Sequence, residues 1–596
     1  MDNSLKNNST KLPKVAILPF SCEEEHEKAK FYGEGIAEEI LSLLSNQNAL
    51  RVISRRSSFK LDSSELSTQQ IGEKLGAEHL IEGKIKWEKN HCRVLVYLID
   101  SENDTVIWSD GFESSTNKLH DLHSEIGMQL SKQLNLGLGN LTNANDSMHS
   151  HLQSKAYELS LMGLYYFRKW NAKDVQLAIG FFNQSLKIDP NNPITLLRLA
   201  DCLGFLATTG VKPEAWTEAG TTIRKAISLH PNLSEGHYQL ANLAFFVESD
   251  YEQSLAEAKK AVALNPNFAE AQQFLSFLYA LAGKTRYATN HLSLANEVDP
   301  LSPETLFFKA YHLYMLEKFD EALKALDICL KDNPHNIPAF TIKCYCLLLS
   351  NKPESALKML ETLPKDVLVR GDELGIKCIA YHLMKQEKKQ DDIFEQLIVE
   401  AESPLGFRAD SFKFMHFAIS EQYDKAFEWI EKNIEYGSPL LMIHFADPMS
   451  KNLRKDPRFD QAKNRLFPPH LFSKKIQSKL SEHKISNAKD RLNLLMSNEK
   501  PYLDAQINLN ELANKLNINS HELSALINNE FDKNFNEFIN DHRLEEFKKV
   551  SLKSEFSHLS LSGIAYECGF NSKTTFNTYF KKKMGMTPKE YINSKK

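Results

Sequence analysis

Long apolar runs are missing from this sequence. No stretch approaches the ~18 consecutive apolar residues of a membrane span. Met1 to Lys14 is polar and has no apolar core of signal-peptide length. A cytoplasmic location with no membrane partner is therefore expected. Cysteine is sparse, at 8 in 596 residues, and scattered except for Cys344-x-Cys346. Side chains two apart on a helix point to different faces, so this pair makes a poor metal site, and reduced thiols filling core positions are expected. Catalytic signatures are lacking too: neither a metal-binding carboxylate pair nor a nucleophile elbow is evident. Gly33-x-Gly35 could pass for a phosphate loop, but no Lys-Ser/Thr pair and no third glycine follow, which leaves a simple turn into a helix. No catalytic residue, cofactor or metal is expected, and no enzymatic activity. Charge of one sign does not dominate either. With 72 Lys+Arg against 77 Asp+Glu the net charge is −5, which advertises no nucleic-acid partner for the chain as a whole.

What is present is material for several domains. At ~100–200 residues per domain, 596 residues suggest three to five, and a 42% hydrophobic, 25% charged composition is that of globular cores under a solvated surface. The charge is unevenly spread. From Ile476 onward 18 Lys+Arg face 15 Asp+Glu, a net of +3, and at the end Lys573, Lys581, Lys582, Lys583, Lys589, Lys595 and Lys596 are opposed by Glu590. A basic tail alone is an ordinary solvated end. It becomes informative when a DNA-binding scaffold carries it.

The first part alternates strand and helix. Lys14 to Phe20 is a short apolar run ending at a proline, a plausible buried strand. Ile36, Ile40, Leu43 and Leu44 then share one helical face. A strand is expected at Leu50–Ser54, a helix from Ser67 with Ile71 and Leu75 inward, and two long strands, His79–Glu88 and Cys92–Asp100, meeting at Lys89-Asn90. A strand carrying Val106-Ile-Trp108 and an amphipathic helix from Leu119 to Leu134 close the domain. This order, with Ala16-Ile-Leu-Pro-Phe20, Gly35-Ile-Ala-Glu-Glu-Ile40, Arg51-Val-Ile-Ser54 and Glu82-Gly83, resembles the TolB amino-terminal-like domain, which implies no catalytic residues.

The middle repeats. Prolines 190, 231, 266, 300 and 334 are spaced by 41, 35, 34 and 34 residues. Twelve residues before them stand Ala178, Ala219, Ser254, Ala288 and Ala322, and five before them Ser185, Ala226, Ala261, Ala295 and Cys329. Small side chains let two helices approach closely, and the proline stops the second helix before the next begins. The pattern resembles the tetratricopeptide repeat, whose hairpins stack into a curved solenoid. Ala356 suggests a sixth, degenerate repeat. Helices are expected to continue less regularly to about Leu466 through Tyr423–Trp429, with Asp456–Phe459 as a closing turn. Tyr165, Tyr166 and Phe167 are expected to pack between repeats rather than line a ligand groove. A protein or peptide partner on the repeats is the natural expectation.

The last part carries two helix-turn-helix patterns. Asn508-x-x-Glu511 is a capping box opening a helix with Leu509, Leu512, Ala513 and Leu516 apolar. Asn519-x-x-Glu522 opens a second helix, with Leu523, Leu526 and Ile527 inward and His521, Ser524, Ala525 and Asn528 outward. The second pattern starts near Ser560: Leu561, Ile564 and Ala565 pack inward and Gly569 stops the helix. Asn571-Ser572 caps the next helix, with Phe576 and Phe580 buried and Lys573, Thr574, Asn577, Thr578, Lys581 and Lys582 on the other side. Gly585 ends it, Thr587-Pro-Lys-Glu590 is a further capping box, and a helix from about Phe535 to Val550 separates the two units. Ile564-Ala-x-x-x-Gly-Phe-Asn-Ser572, Phe576-x-x-x-Phe580 and Gly585-Met-Thr-Pro-x-x-Tyr591 resemble the AraC-family signature over about Lys489 to Lys596. Two positions depart from it. Phe547 stands where many members have a small residue, which bears on packing of the connecting helix, and Gly563 where an acid is common, which bears on local helix stability. The resemblance implies a monomer-competent reader whose two recognition helices enter successive major grooves. Amides such as Asn528 and Asn577 suit adenine edges, threonine methyls suit thymine, and Lys581 and Lys582 suit phosphates.

The expectation is thus a multidomain, mainly α chain. It comprises a disordered tail (1–13), an α/β amino-terminal domain (14–136), an α-solenoid of tetratricopeptide-like repeats (150–466), a linker (467–488) and an all-α tandem helix-turn-helix domain (489–596). Its expected partner is double-stranded DNA, with oligomeric state left open. The competing expectation is an interaction scaffold whose helix-turn-helix domain no longer binds DNA.

Overall fold

The computed structural model describes residues 12–595 apart from short stretches, the longest being 135–149, 363–369 and 473–481. The tail expected at 1–13 lies almost wholly outside the described residues, as does the Lys89-Asn90 turn. The chain divides into two compact units, Met1–Phe467 and Pro468–Lys596.

The first unit opens with a sheet of β1 (Lys14–Ile17), β2 (Ser21–Cys22), β3 (Arg51–Val52), β4 (His79–Glu88), β5 (His91–Asp100) and β6 (Thr105–Ser115). The order is β3-β1-β4-β5-β6, with β2 also beside β4. β1 lies parallel to β3 and β4, and β4, β5 and β6 run antiparallel. Alternation along the strand sends neighbouring side chains to opposite faces, and around β1 both faces are covered, whereas β6 is largely exposed. Val15 and Ile17 join a core with Ile36 and Ile40 of α1 (Glu27–Ser45). Ala16 and Leu18 join another with Ile53, Ile71 and Leu75, between α2 (Arg55–Ser58) and α3 (Thr68–Leu75). α4 (Leu119–Gln133) packs Leu122, Ile126 and Leu130 onto the first core. One expectation is corrected. Gly33 and Gly35 do not form a turn into a helix but lie inside α1. A Cβ at Gly33 would meet the Phe20 carbonyl oxygen at 2.5 Å, and one at Gly35 the Leu161 side chain at 3.0 Å, so these glycines serve close packing.

Among the described residues, eight helical hairpins follow: α5 (Ser150–Phe167) with α6 (Ala172–Ile188), α7 (Pro193–Thr208) with α8 (Ala215–Leu229), α9 (Ser234–Phe246) with α10 (Tyr251–Leu264), α11 (Ala269–Leu281) with α12 (Thr285–Val298), α13 (Pro303–Met315) with α14 (Phe319–Asp332), α15 (Ile337–Leu349) with α16 (Pro353–Leu360), α17 (Arg370–Leu383) with α18 (Glu387–Ala401), and α19 (Phe407–Ile419) with α20 (Tyr423–Tyr436). Each small residue singled out by the spacing lies on the second helix of its hairpin and is buried, from Ala178 and Ser185 to Ala322, Cys329 and Ala356. Tyr166 stacks on Phe181, and with Phe167 it packs against the core of the first repeats.

The later repeats keep their register better than the sequence suggests. A left-handed residue stands two positions before the second helix in six successive hairpins: Ser249, Gly283, Glu317, Asn351, Lys385 and Glu421. The first five are 34 residues apart. Five residues beyond each come Ser254, Ala288, Ala322, Ala356, Gln390 and Ala426, so one glutamine interrupts an otherwise small-residue series. The array thus runs to α20. Beyond it come α21 (Pro439–Ala446), a 3-10 segment (Pro448–Lys455) and α22 (Arg458–Leu466). Asp456–Phe459 therefore opens a last helix rather than closing the body, with the Asp456 carboxylate accepting the Arg458 N–H at 2.9 Å. Phe467, placed in the expected linker, is buried against Tyr251 and Phe445 and ends the body.

The α/β domain and the repeats share a polar, buried junction. Asn267 donates its side-chain amide to the carbonyls of Ser45 and Leu50 at 2.8 and 3.0 Å. Asp299, wholly buried, accepts the hydroxyls of Ser54 and Ser57, and Arg56 pairs with Glu270 and Glu304. Among the described residues no helix is long and apolar enough to cross a membrane.

Candidate nucleic-acid interface

The second unit contains α23 (Glu482–Asn498), α24 (Leu509–Lys515), α25 (Ser520–Phe531), α26 (Phe535–Val550), α27 (Leu561–Glu567), α28 (Lys573–Met584) and α29 (Pro588–Lys595). α23 begins inside the segment expected as linker, because Leu492 and Met496 are buried in the first core and anchor the helix that runs back from them.

Capping explains why the helices start where they do. A helix leaves its first N–H groups without internal partners, and a short polar side chain just before it accepts one. Asn508, Asn519, Asn534 and Thr587 accept the N–H of Glu511, Glu522, Glu537 and Glu590, whose carboxylates accept the cap residue's own N–H in return. Ser560 and Ser572 cap α27 and α28 through Gly563 and Thr575. The first helix of each pair stops the same way: Asn517 (φ 51°) and Gly569 (φ 89°) turn left-handed two residues past its end.

Two cores result. Leu512, Ala513, Leu523, Leu526 and Ile527 form the first with Leu492 and Met496. Ile564, Ala565, Phe570, Phe576, Phe580 and Tyr591 form the second. α26 belongs to both, sending Phe538 and Ile539 into the first and Leu544, Phe547 and Val550 into the second. Phe547 is fully buried, with its ring 4.7 Å from Phe576 and 5.7 Å from Phe580, so its bulk becomes the centre of an aromatic core. Gly563 has ordinary space around it, the nearest atom to an added Cβ being Ser560 Oγ at 3.4 Å.

The candidate DNA face is most fully described on α28. Phe576 and Phe580 turn inward, while Lys573, Thr574, Asn577, Thr578, Lys581 and Lys582 are all exposed along the opposite side. On α25, Leu523, Leu526 and Ile527 are buried and Ser524 is half-exposed. The side chains of His521, Ala525 and Asn528 lie outside the described residues.

Two features escaped the sequence reading. Arg543 is buried: its Nε donates to the Tyr502 carbonyl at 2.7 Å and its Nη2 to the Asp504 carbonyl at 2.8 Å. Burial pulls this guanidinium below its ordinary pKa, with Asp504 opposing. The available signal was its place between Ile539 and Phe547 on the four-residue spacing of a buried stripe. The second feature is Asp541, which accepts the Tyr579 hydroxyl at 2.7 Å and pairs with Lys533 and Lys583 at 2.8 and 3.0 Å. Burial alone would raise this carboxyl, but hydrogen bonds from Lys533, Tyr579 and Lys583 outweigh it and hold the group below the usual aspartate range.

Two capped helix pairs on a shared connecting helix, with the polar face of α28 turned outward, define a tandem helix-turn-helix DNA-binding domain. Residues 512–594 match the family described as "Helix-turn-helix domain". Residues 10–128, set above beside the TolB amino-terminal-like domain, match that described as "HilA/YgeH-like transcriptional regulator, second domain". An uncharacterised HTH-type transcriptional regulator in the cgkA 5' region of Pseudoalteromonas carrageenovora is 32% identical over 119 residues, covering 20% of this chain and 68% of that one. The chain belongs to the HTH-type transcriptional regulators, and its last domain is of the AraC type. A putative adenylate cyclase 3 of Rhizobium meliloti is 24% identical over 234 residues, and the matched region is 38% of this chain and 40% of that relative's length. Among solved structures, a tetratricopeptide repeat protein of Parabacteroides merdae is 16% identical, with a TM-score of 0.31, over 41% of this chain and 91% of its own. A thermophilic tetratricopeptide repeat protein of Thermus thermophilus is 23% identical, with a TM-score of 0.26, over 32% and 99%.

Proposed function

We propose that this chain is a sequence-specific transcription regulator that reads two successive major grooves, one with α25 and one with α28, and that a protein or peptide partner acts on its repeat body. The observation that carries the reading is α26. By contributing to both cores it holds two recognition helices on one scaffold, as a reader of neighbouring grooves in a single chain requires. A major groove admits an α-helix and presents a distinct donor and acceptor pattern for each base pair.

On α28 the side chains divide by position. Thr574 and Asn577 lie in the first half of the helix and are assigned to base edges, with Lys573 and Thr578 flanking them. Lys581 and Lys582 lie in its last turn and are assigned to phosphates, which position a protein without reading sequence. On α25 the corresponding readers are His521, Ser524, Ala525 and Asn528. The repeats, with their stacked hairpins, suit recognition of a protein or peptide and are assigned regulation rather than DNA contact.

Selection of bound sites at fixed salt tests the division. Asn577→Ala should cost roughly 1–3 kcal/mol at the best site and relax preference at one or two base pairs. Changing Lys581 and Lys582 together to Ala should weaken all sequences alike and flatten the salt slope by about 1 per lost phosphate contact. If the lysine pair altered sequence preference while Asn577→Ala weakened every site equally, the assigned orientation of α28 would be wrong.

A further inference from the structure

We infer that Asp541 is a positioning residue that fixes how the two recognition helices are set relative to each other, and so determines which spacing of half-sites the domain accepts. The inference rests on the two-groove reading above and adds to it.

The geometry is a clasp around one carboxylate. Asp541 lies on α26, half-buried, where it is reached from both sides. Its Oδ2 pairs with Lys533 Nζ at 2.8 Å, and Lys533 sits just beyond Phe531, the last residue of α25. Its Oδ1 accepts the Tyr579 hydroxyl at 2.7 Å and pairs with Lys583 Nζ at 3.0 Å. Tyr579 is in the middle of α28 and Lys583 in its last turn. The Tyr579 hydroxyl also lies 3.1 Å from the Glu537 carbonyl, and the Lys583 ammonium stands 5.6 Å from the centre of the Tyr579 ring. One carboxylate therefore joins the exit of the first recognition helix to the body of the second.

Apolar packing alone would leave that setting looser. Phe576 and Phe580 hold α28 on its core, but an apolar contact is non-directional and tolerates small rotations. Hydrogen bonds to a carboxylate are directional and short, and charged ones are the stronger kind. The clasp has a second consequence. Lys533 and Lys583 are engaged by Asp541, while Lys581 and Lys582 form no ion pair among the described residues. Of three consecutive lysines, the clasp withholds one from the phosphates.

The test uses the full chain with three duplexes: its best selected site, the same site with one or two base pairs inserted between the half-sites, and a random sequence. The unmodified chain should lose roughly tenfold in affinity per inserted base pair, the order of a mismatch in a specific site. Asp541→Asn should cut that penalty to about threefold or less. It should also raise affinity for random duplex and steepen the salt slope by about 1–2, because two lysines are released. Tyr579→Phe, which deletes one oxygen and leaves both ion pairs, should relax spacing without raising random-duplex affinity. The Tyr579→Phe result stands if Asp541→Asn proves poorly folded by hydrogen exchange. An unchanged spacing penalty in Tyr579→Phe and in folded Asp541→Asn would overturn the clasp while leaving the two-groove reading in place. Failure of the unmodified chain to prefer any sequence would overturn that reading, and the clasp with it.

Discussion

Gly569 is constrained both by a left-handed backbone and by close neighbours, and its replacement by alanine, set beside that of Gly585, separates two causes of glycine use. The residue has φ of 89°, which side chains other than glycine's rarely adopt. An added Cβ would also come within 2.2 Å of the Tyr502 carbonyl oxygen and 2.9 Å of Arg543 Nε. The left-handed backbone costs about 1–2 kcal/mol for an L-residue. Forcing a methyl into a packed site adds about 1–3 kcal/mol. If the Arg543 bond to the Tyr502 carbonyl gives way, a charged hydrogen bond of about 1.5–3 kcal/mol is lost as well. The total should be about 2–5 kcal/mol, and about 3.5–8 kcal/mol if that bond is lost, a large share of the ~5–15 kcal/mol that stabilises a domain. Gly585 is the control: it is left-handed at φ 69°, but nothing lies within 4 Å of an added Cβ, so Gly585→Ala should cost only about 1–2 kcal/mol. All five tryptophans, at 87, 108, 170, 216 and 429, fall in the first unit. In urea, tryptophan fluorescence therefore follows that unit, while hydrogen exchange in α27 and α28 follows the second. Gly569→Ala should shift the second alone. Equal costs for Gly569→Ala and Gly585→Ala would refute the close-approach argument.

Two further outcomes are expected in the first unit. Lys385→Gly, at a left-handed turn between α17 and α18, should stabilise the repeats by roughly 0.5–1 kcal/mol, since relief of backbone strain exceeds the entropic cost of glycine; a lower urea midpoint would contradict it. Burial pushes the Asp447 carboxyl up to about 7, against hydrogen bonds from the Tyr314 hydroxyl (2.5 Å) and the Met449 N–H (2.8 Å). Between the unfolded value of ~3.9 and about 7 the folded state binds the extra proton, so this group's contribution to stability falls as pH rises through that window. Asp447→Asn removes the titration. The variant should gain on the unmodified chain from about pH 4 to about pH 7 and no further above that, by an amount on the order of 1.4 kcal/mol per pH unit. Parallel pH profiles for the two would show that Asp447 ionises in the folded state without cost.

Legibility in the sequence followed the physics of each element. Helix starts in the last domain were readable because capping is local: Asn508, Asn519 and Thr587 announce their partners three residues on, and each makes the bond. The small residues of the repeats were readable because close helix approach needs them, and they are buried throughout. Continuation of the array through α18 and α20 was harder to see. Gln390 and Leu397 stand where small residues recur, and Lys385 and Glu421 hold a turn that glycine would announce. The interior place of Gly33 and Gly35 was missed because their reason, contact with Phe20 and Leu161, is tertiary. The bonds of Asp541 to Tyr579 and Lys583, and of Arg543 to the Tyr502 and Asp504 carbonyls, join residues about 40 positions apart, which no local pattern encodes.

DNA reading is settled by selecting duplexes that the purified full chain retains, then measuring affinity for the winner across a salt series. Two recognition helices on one scaffold predict an enriched site with two elements about one helical turn, ~10–10.5 base pairs, apart. They also predict affinity that falls steeply with salt as counterions return to the phosphates. No enrichment at low salt, or binding indifferent to salt, would contradict the claim that this chain reads DNA.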